Sequence, residues 1–387
     1  MTLLPDIQLT LRTGIIELGW GHPDLALLPG AALAQAATLA LQQDSAALAY
    51  GAEQGPGRLI TQLCTRFEQM EGITPLPEHL CITGGISQAL AMLCTLLTRP
   101  GDVVLIESPS YHLAPRIFRD HGLTLAPVPC DEQGIRLDLL ETLHKTLTLQ
   151  GRQPRLLYTV PTFNNPTGIS LVSERRSALV SFAQHTGLTV VEDDAYRELW
   201  FDAPPPTPLY NLTPAGPVIR LGSFSKVLAP GLRLGWMLAA PEIVRGCAGS
   251  GLLESGGGIN HFTAHVVAAF LAEGLLEPHI ATLRNNYRRR RDLLLGALAR
   301  YLPDTCTWIP PLGGFFVWLR LPPAVHSAAL LPQAEAAGVA YLPGVYCYTG
   351  GGGETHLRLA FSLLSPDDLE EGVRRLATAL AHTRPGG

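Results

Sequence analysis

Between residues 80 and 221 the chain repeats one pattern. A short apolar run is followed by a polar or glycine-containing turn, then by a stretch with apolar residues every three or four positions. The runs at 80–83, 103–107, 123–128, 155–160, 188–192 and 218–221 predict strands. Most are apolar throughout rather than alternating, as expected of strands covered on both faces. The stretches at 88–97, 114–121, 137–148 and 173–185 predict helices between them. Alternating strands and helices predict an α/β fold: a mostly parallel, seven-stranded-type sheet with helices on both faces. Ahead of this unit, residues 1–30 read as irregular, and helices are expected at 31–43 and 58–71 around a glycine-rich loop. Behind it, a loop at 254–261 and a helical region at 263–300 lead into shorter strands at 314–319, 339–341 and 355–360. Helices at 328–337 and 366–382 accompany them. This part predicts a smaller α+β domain. The division expected is an N-terminal arm with part of the small domain (1–40), a large domain (41–275) and a small C-terminal domain (276–387).

Composition narrows the picture. Of 387 residues, 47% are hydrophobic and 16% charged, which suits a large buried core and not a disordered chain. A formal net charge of −5 gives no attraction to nucleic acid or to a membrane surface. The basic run at 288–291 sits in a predicted helix and reads as a solvated face with some interface contacts. The seven cysteines, at 64, 81, 94, 130, 247, 306 and 347, show neither C-x-x-C nor Cys/His spacing. That argues against a metal or disulfide framework and for a reducing compartment. No signal-peptide pattern is visible, and no apolar run reaches ~18 residues. A cytoplasmic protein without membrane partners is the expectation.

Polar residues gather where the predicted strands end. After the run at 218–221 comes Ser223-Phe224-Ser225-Lys226, with Pro230, Gly231 and Arg233 beyond it. Apolar neighbours and a nearby cation lower an amine's pKa, and a neutral lysine is the nucleophile of Schiff-base chemistry. Two serines and an arginine suit a phosphate. Lysine and phosphate seat together point to pyridoxal 5'-phosphate. Other strand ends supply what that cofactor needs. The turn Gly84-Gly85-Ile86-Ser87 opens a helix and offers backbone N–H groups to the phosphate. Tyr111 can cover the ring, and Asn165 and Tyr196 can hydrogen-bond its phenolic oxygen. Asp193 or Asp194 can keep the pyridine nitrogen protonated, but strand alternation turns them to opposite faces, so only one does. Taken singly, each has a plainer reading: Asn165 as a turn former, Asp193 as a helix cap, the tyrosines as packing residues. Their shared position at strand ends, where α/β sheets bind ligands, favours one site.

These residues resemble the class I/II aminotransferases of pyridoxal-phosphate fold type I. The branch is the one that includes α-aminoadipate, aromatic and branched-chain aminotransferases and the catalytic-like domains of MocR regulators. The matching segments are Gly21-His22-Pro23-Asp24, Tyr50-Gly51, Gly57-Arg58-Leu59, Gly85-Ile86-Ser87-Gln88, Ser108-Pro109-Ser110-Tyr111, Asn165-Pro166-Thr167-Gly168, Asp193-Asp194-Ala195-Tyr196, Ser223 through Trp236, and His356 through Ser362. The resemblance implies that Lys226 is the Schiff-base lysine and proton shuttle and that Asp193, three before Tyr196, partners the pyridine. It implies that Arg358 clamps the substrate α-carboxylate, with Gly21 and Asn165 in the same substrate site. It implies that Tyr50 reaches the phosphate of a neighbouring subunit in a homodimer with shared active sites. Ile86 departs from the small or hydroxylated residue of close relatives, leaving its backbone N–H to serve. The implied function is amino transfer from an α-amino acid to a 2-oxo acid in a ping-pong cycle. Another pyridoxal-phosphate reaction on the same fold (lyase, oxidase or synthase) is the alternative. A ligand-sensing regulator is less favoured, because only ~20 residues precede Gly21, too few for a helix-turn-helix domain. No G-x-G-x-x-G follows an early strand, which disfavours a dinucleotide enzyme. Trp20, His22 and the 256–261 loop are expected near the substrate side chain. Trp20 with Ile15 and Ile16 points to apolar or aromatic donors and Arg12 to an acidic one; both stay open.

Overall fold

The computed structural model describes residues 12–43 and 45–382. Its strands in chain order are β1 (Ile16–Glu17), β2 (Leu80–Thr83), β3 (Val103–Ser108), β4 (Thr124–Asp131), β5 (Gly134–Ile135), β6 (Pro154–Thr159) and β7 (Thr189–Asp193). They continue with β8 (Val218–Ser223), β9 (Gly235–Leu238), β10 (Thr307–Trp308), β11 (Phe316–Arg320), β12 (Val339–Ala340), β13 (Leu342–Pro343) and β14 (His356–Ala360). The large sheet has the order β2-β9-β8-β7-β6-β3-β4-β5. From β8 across to β4 all neighbours are parallel. Helices such as Ile86–Leu97, Leu137–Leu149 and Ser173–Thr186 make the crossovers, as parallel strands require. The apolar runs are buried as their composition predicts: β3 is covered from Val103 to Glu107.

The short strands β1, β5, β10 and β13 escaped the pattern, and so did β9. β9 returns antiparallel between β2 and β8, directly after the lysine turn. It has four residues and no α-helix between it and β8 to announce it. Gly235 makes the fit possible: a Cβ there would sit 2.5 Å from the Gly222 carbonyl oxygen and 2.9 Å from Gly85 Cα. The helical region expected at 263–300 is also two helices, His261–Ala272 and Leu276–Tyr301, which meet at 88°. Gly274, with φ +66°, sits in the break between them, a conformation a helix cannot continue through. No single described helix is long and apolar enough to cross a membrane.

The smaller sheet, antiparallel throughout, has the order β10-β11-β14-β13. The helix Leu276–Tyr301 packs against the last helix, Pro366–Ala381. Near the N-terminus the chain belongs to this side, since β1 pairs with β12. The helix Gly30–Gln43 packs instead on His261–Ala272. A buried ion cluster ties the helix Gly57–Glu71 to the large sheet: Arg220 of β8 bonds Glu71 (2.5 Å) and Asp194 (2.7 Å). Its guanidinium lies 5.7 Å from the Phe67 ring and 5.4 Å from that of Trp236. Removing one partner of such a cluster strands a buried charge, at a cost of about 3–5 kcal/mol.

Candidate active site

The carboxyl ends of β3, β6, β7 and β8 meet β11, β14 and the segment Gly19 to Pro23 around one cavity of about 380 Å³. Its walls contain Gly21, Gly85, Ile86, Ser87, Tyr111, Asn165, Asp193, Tyr196, Ser223, Ser225, Lys226, Arg233 and Arg358. Of the residues expected to bind cofactor or substrate, Tyr50 is elsewhere: it is 89% exposed, beside Gly256.

Lys226 is one of two lysines in the chain; the other, Lys145, is exposed. The Lys226 Nζ donates to the Gly21 carbonyl (3.1 Å) and lies 5.9 Å from the Tyr196 ring and 5.5 Å from that of Phe315. Loss of solvent, and secondarily the charge of Arg358, lower its pKa to about 8. That leaves a useful fraction of neutral amine near neutral pH.

Asp193 ends β7 with its carboxyl buried. It accepts from the Tyr158 hydroxyl (2.7 Å) and from the Ala195 N–H (3.3 Å). Burial raises its pKa to about 6, and among the described residues no cation forms an ion pair with it. Asp194 points the other way and is held by Arg220, outside the cavity wall. The two faces expected of neighbouring strand residues thus separate a pocket carboxyl from a structural one.

At the opposite end, Gly85 has φ +86° and caps the helix Ile86–Leu97, whose first N–H groups lack intrahelical partners. A Cβ on Gly85 would lie 3.4 Å from the Arg233 Nη2, so guanidinium and helix start share one corner. Ser223 Oγ accepts from the Ser225 N–H (3.0 Å). Asn260 donates to the Arg233 carbonyl. Gly258 N–H bonds Ala52 (2.8 Å), and Ile259 touches Gly84. The 256–261 loop therefore props the phosphate-sized corner and does not line the cavity.

Arg358 reaches in from β14. It donates to Asn165 Oδ1 (2.7 Å) and to the Gly19 carbonyl (2.8 Å), and its guanidinium lies 4.2 Å from the Phe316 ring. Its Nε is buried without a partner. Tyr111 is half-buried, its hydroxyl pushed up to about 12 by burial. Arg12 is elsewhere, paired with Glu17 (2.6 Å) and Glu335 (2.7 Å).

Sequence reasoning missed several neighbours. Tyr158, which fixes Asp193, lies in mid-strand and signals only packing. Glu107, next to last in β3, is buried and accepts from Thr159 Oγ1 (2.6 Å), the Val160 N–H (2.6 Å) and Asn164 Nδ2 (2.7 Å). It thereby holds the turn that carries Asn165. His112 lines the cavity beside Tyr111, its imidazole kept neutral by burial, which lowers its pKa to about 3.

The donor set fits pyridoxal 5'-phosphate. A helix N-terminus with Arg233 suits an anion, the uncompensated Asp193 carboxyl suits a protonated ring nitrogen, and Lys226 is a desolvated amine between them. The comparisons agree. The family model for aminotransferase class I and II matches residues 13–376. The 2-aminoadipate transaminase of Thermus thermophilus is 37% identical over 387 residues, covering 98% of this chain and 93% of its own. The aromatic-amino-acid aminotransferase 1 of Thermococcus litoralis is 31% identical over 377 residues, with 97% and 90% covered. Among solved structures, the Thermus thermophilus α-aminoadipate aminotransferase complexed with N-(5'-phosphopyridoxyl)-L-leucine superposes with a TM-score of 0.85. It is 35% identical, with 97% of this chain and 95% of that one covered. The chain belongs to the class I and II aminotransferases, enzymes that move an amino group from an amino acid to a 2-oxo acid with pyridoxal 5'-phosphate.

Proposed function

We propose that Lys226 anchors the cofactor and carries the substrate's α-proton, and that Arg358 holds the substrate α-carboxylate. The observation behind this is the convergence of an enclosed amine, an unpaired carboxyl and a buried guanidinium on one cavity. The N–H groups of Gly85, Ile86 and Ser87, the hydroxyls of Ser223 and Ser225, and Arg233 would hold the phosphate. Asp193, oriented by Tyr158, would partner the ring nitrogen. Asn165 and Tyr196 would bond the phenolic oxygen, and Tyr111 would cover the ring. When bound, the cofactor supplies an electron sink for the pair left behind as the substrate Cα loses its proton. Lys226 takes that proton as a neutral amine and returns it as an ammonium. Arg358, already fixed by Asn165 and Gly19, keeps the Cα–H within reach of Nζ at little ordering cost. Release of one 2-oxo acid and entry of another by the same route makes the cycle ping-pong.

We infer a homodimer in which Tyr50 completes the phosphate seat of the partner. Tyr50 and Leu48 are 89% and 73% exposed, which suits a covered face. The seven unpaired cysteines suit a reducing compartment, and we place the enzyme in the cytoplasm. We take the small domain to begin near Leu276 and to include β1, with the helix Gly30–Gln43 on the large-domain side.

Borohydride reduction of the cofactor-loaded enzyme followed by peptide mapping tests the anchor. The pyridoxyl mass is expected on the peptide with Lys226 and absent from that with Lys145. Lys226→Ala is expected to carry no label. Label on Lys145, or none on the wild type, contradicts the assignment.

A further inference from the structure

The segment Gly19-Trp20-Gly21-His22 threads between the two groups that would act on the substrate. The Gly19 carbonyl accepts from Arg358 (2.8 Å) and the Gly21 carbonyl from Lys226 (3.1 Å). The segment is pinned from behind. A Cβ on Gly19 would lie 2.9 Å from the Tyr341 carbonyl carbon, and one on Gly21 would lie 2.5 Å from the Phe316 ring. With both carbonyls committed, Trp20 and His22 line the same cavity as the carboxylate clamp and the amine, the space open to a substituent on the substrate Cα. Their rings pack at 5.4 Å, tilted by 38°. Trp20 is only 7% exposed and its Nε1 has no hydrogen-bond partner. His22 is held neutral by burial and by the charges of Lys226 and Arg358, which lower its pKa. Leu113 and the neutral His112 line the same cavity.

The charges of the cavity are as telling. Its lysines and arginines among the described residues are Lys226, Arg233 and Arg358, and each has a task in the reading above. Arg12, the remaining candidate for a side-chain carboxylate, is neutralised by Glu17 and Glu335. Residues 1–11 contain neither lysine nor arginine. A carboxylate carried at the end of a donor side chain would enter an aromatic wall with no further cation lining the cavity among the described residues, and burying an unpaired charge is costly. A ring or a large alkyl group would gain contact area and ring stacking.

We propose that Trp20 and His22 form the specificity wall of the site, selecting aromatic and large apolar amino donors and disfavouring donors with a side-chain carboxylate. This rests on the amino-transfer reading, so the test separates the two. The cofactor-loaded enzyme is mixed with one donor at a time, without acceptor, and the single-turnover change in cofactor absorbance is followed for phenylalanine, leucine, alanine and glutamate. Phenylalanine is expected to exceed glutamate in rate per concentration by about 30-fold or more, within the range pocket shape commonly yields. Trp20→Ala is expected to lower phenylalanine about tenfold or more and alanine by less than about threefold. His22→Arg is expected to raise glutamate about tenfold. Calorimetry of the wild type with 3-phenylpropionate and glutarate is expected to show the first binding about tenfold tighter or better. Glutamate within about threefold of phenylalanine, or equal binding of the two acids, overturns the wall, as does an equal loss for all donors in Trp20→Ala. If no donor reacts alone while 3-phenylpropionate still outbinds glutarate, the amino-transfer reading falls and the wall stands.

Discussion

Lys226 illustrates how far local chemistry reaches. Apolar neighbours in the sequence already argue for a lowered amine pKa, and burial in the cavity takes it to about 8 from an ordinary 10.5. Below that value the folded protein holds Nζ as an ammonium, which cannot attack the cofactor; above it the amine is free. Uptake of pyridoxal 5'-phosphate by the apoenzyme is therefore expected to accelerate with rising pH through a midpoint near 8 and to level off above it. Stopped-flow absorbance checks this; acceleration continuing unchanged to pH 10 would mean an ordinary lysine. Arg358 is the opposite case. As a lone arginine in a short strand it reads as a surface residue, and only its likeness to family members picked it out. Its bond to Asn165, 193 residues away, is a product of domain packing.

At the level of elements, strand ends carry the site because a parallel sheet aligns its carboxyl ends on one edge. The turn after β6 needs a holder, and Glu107 supplies it from the adjacent β3. Burial raises this carboxyl from an ordinary 4.5 to about 7. Between those values the folded state keeps a proton that the unfolded chain has released. Glu107 thus contributes stability that is complete below about pH 4.5 and lost as pH rises through about 7, on the order of 3 kcal/mol. Glu107→Gln keeps an acceptor for the Val160 and Asn164 donors but does not titrate. Thermal unfolding of the apo form from pH 5 to pH 8 is expected to show a steeper fall for the wild type than for Glu107→Gln. Parallel profiles would mean that Glu107 is ionised throughout. Asn165 and its Arg358 bond should also loosen in the variant if the holder fails, raising KM more than it lowers kcat.

For the whole molecule, the question is whether one chain suffices. Every proposed cofactor and substrate residue but Tyr50 meets in one cavity, and Tyr50 is turned to the outside. Tyr50→Phe is expected to weaken cofactor retention about tenfold, the value of one hydrogen bond to a charged group. Mixing it with Lys226→Ala should then rebuild intact sites in mixed dimers, where each chain supplies what the other lacks. Equilibrium dialysis of the cofactor and turnover of the mixture check both; unchanged retention with no gain on mixing would leave Tyr50 outside the site. By itself the sequence determined the alternating α/β layers, the lysine turn, the glycine helix start and the cluster of strand-end polar residues, because these are written in short-range periodicity and in backbone-specific residue types. It left β9 unseen, since this strand returns antiparallel straight after the lysine turn, outside the strand–helix alternation that marks the others. Residue chemistry left the two aspartates open and the family resemblance chose Asp193; the tertiary structure supplies the physical reason, since Arg220 occupies Asp194. It also set Tyr158 and Glu107 behind the site and ran Trp20 and His22 between Arg358 and Lys226. Those arrangements depend on which distant surfaces pack together, and contacts between residues hundreds of positions apart leave no period in the chain.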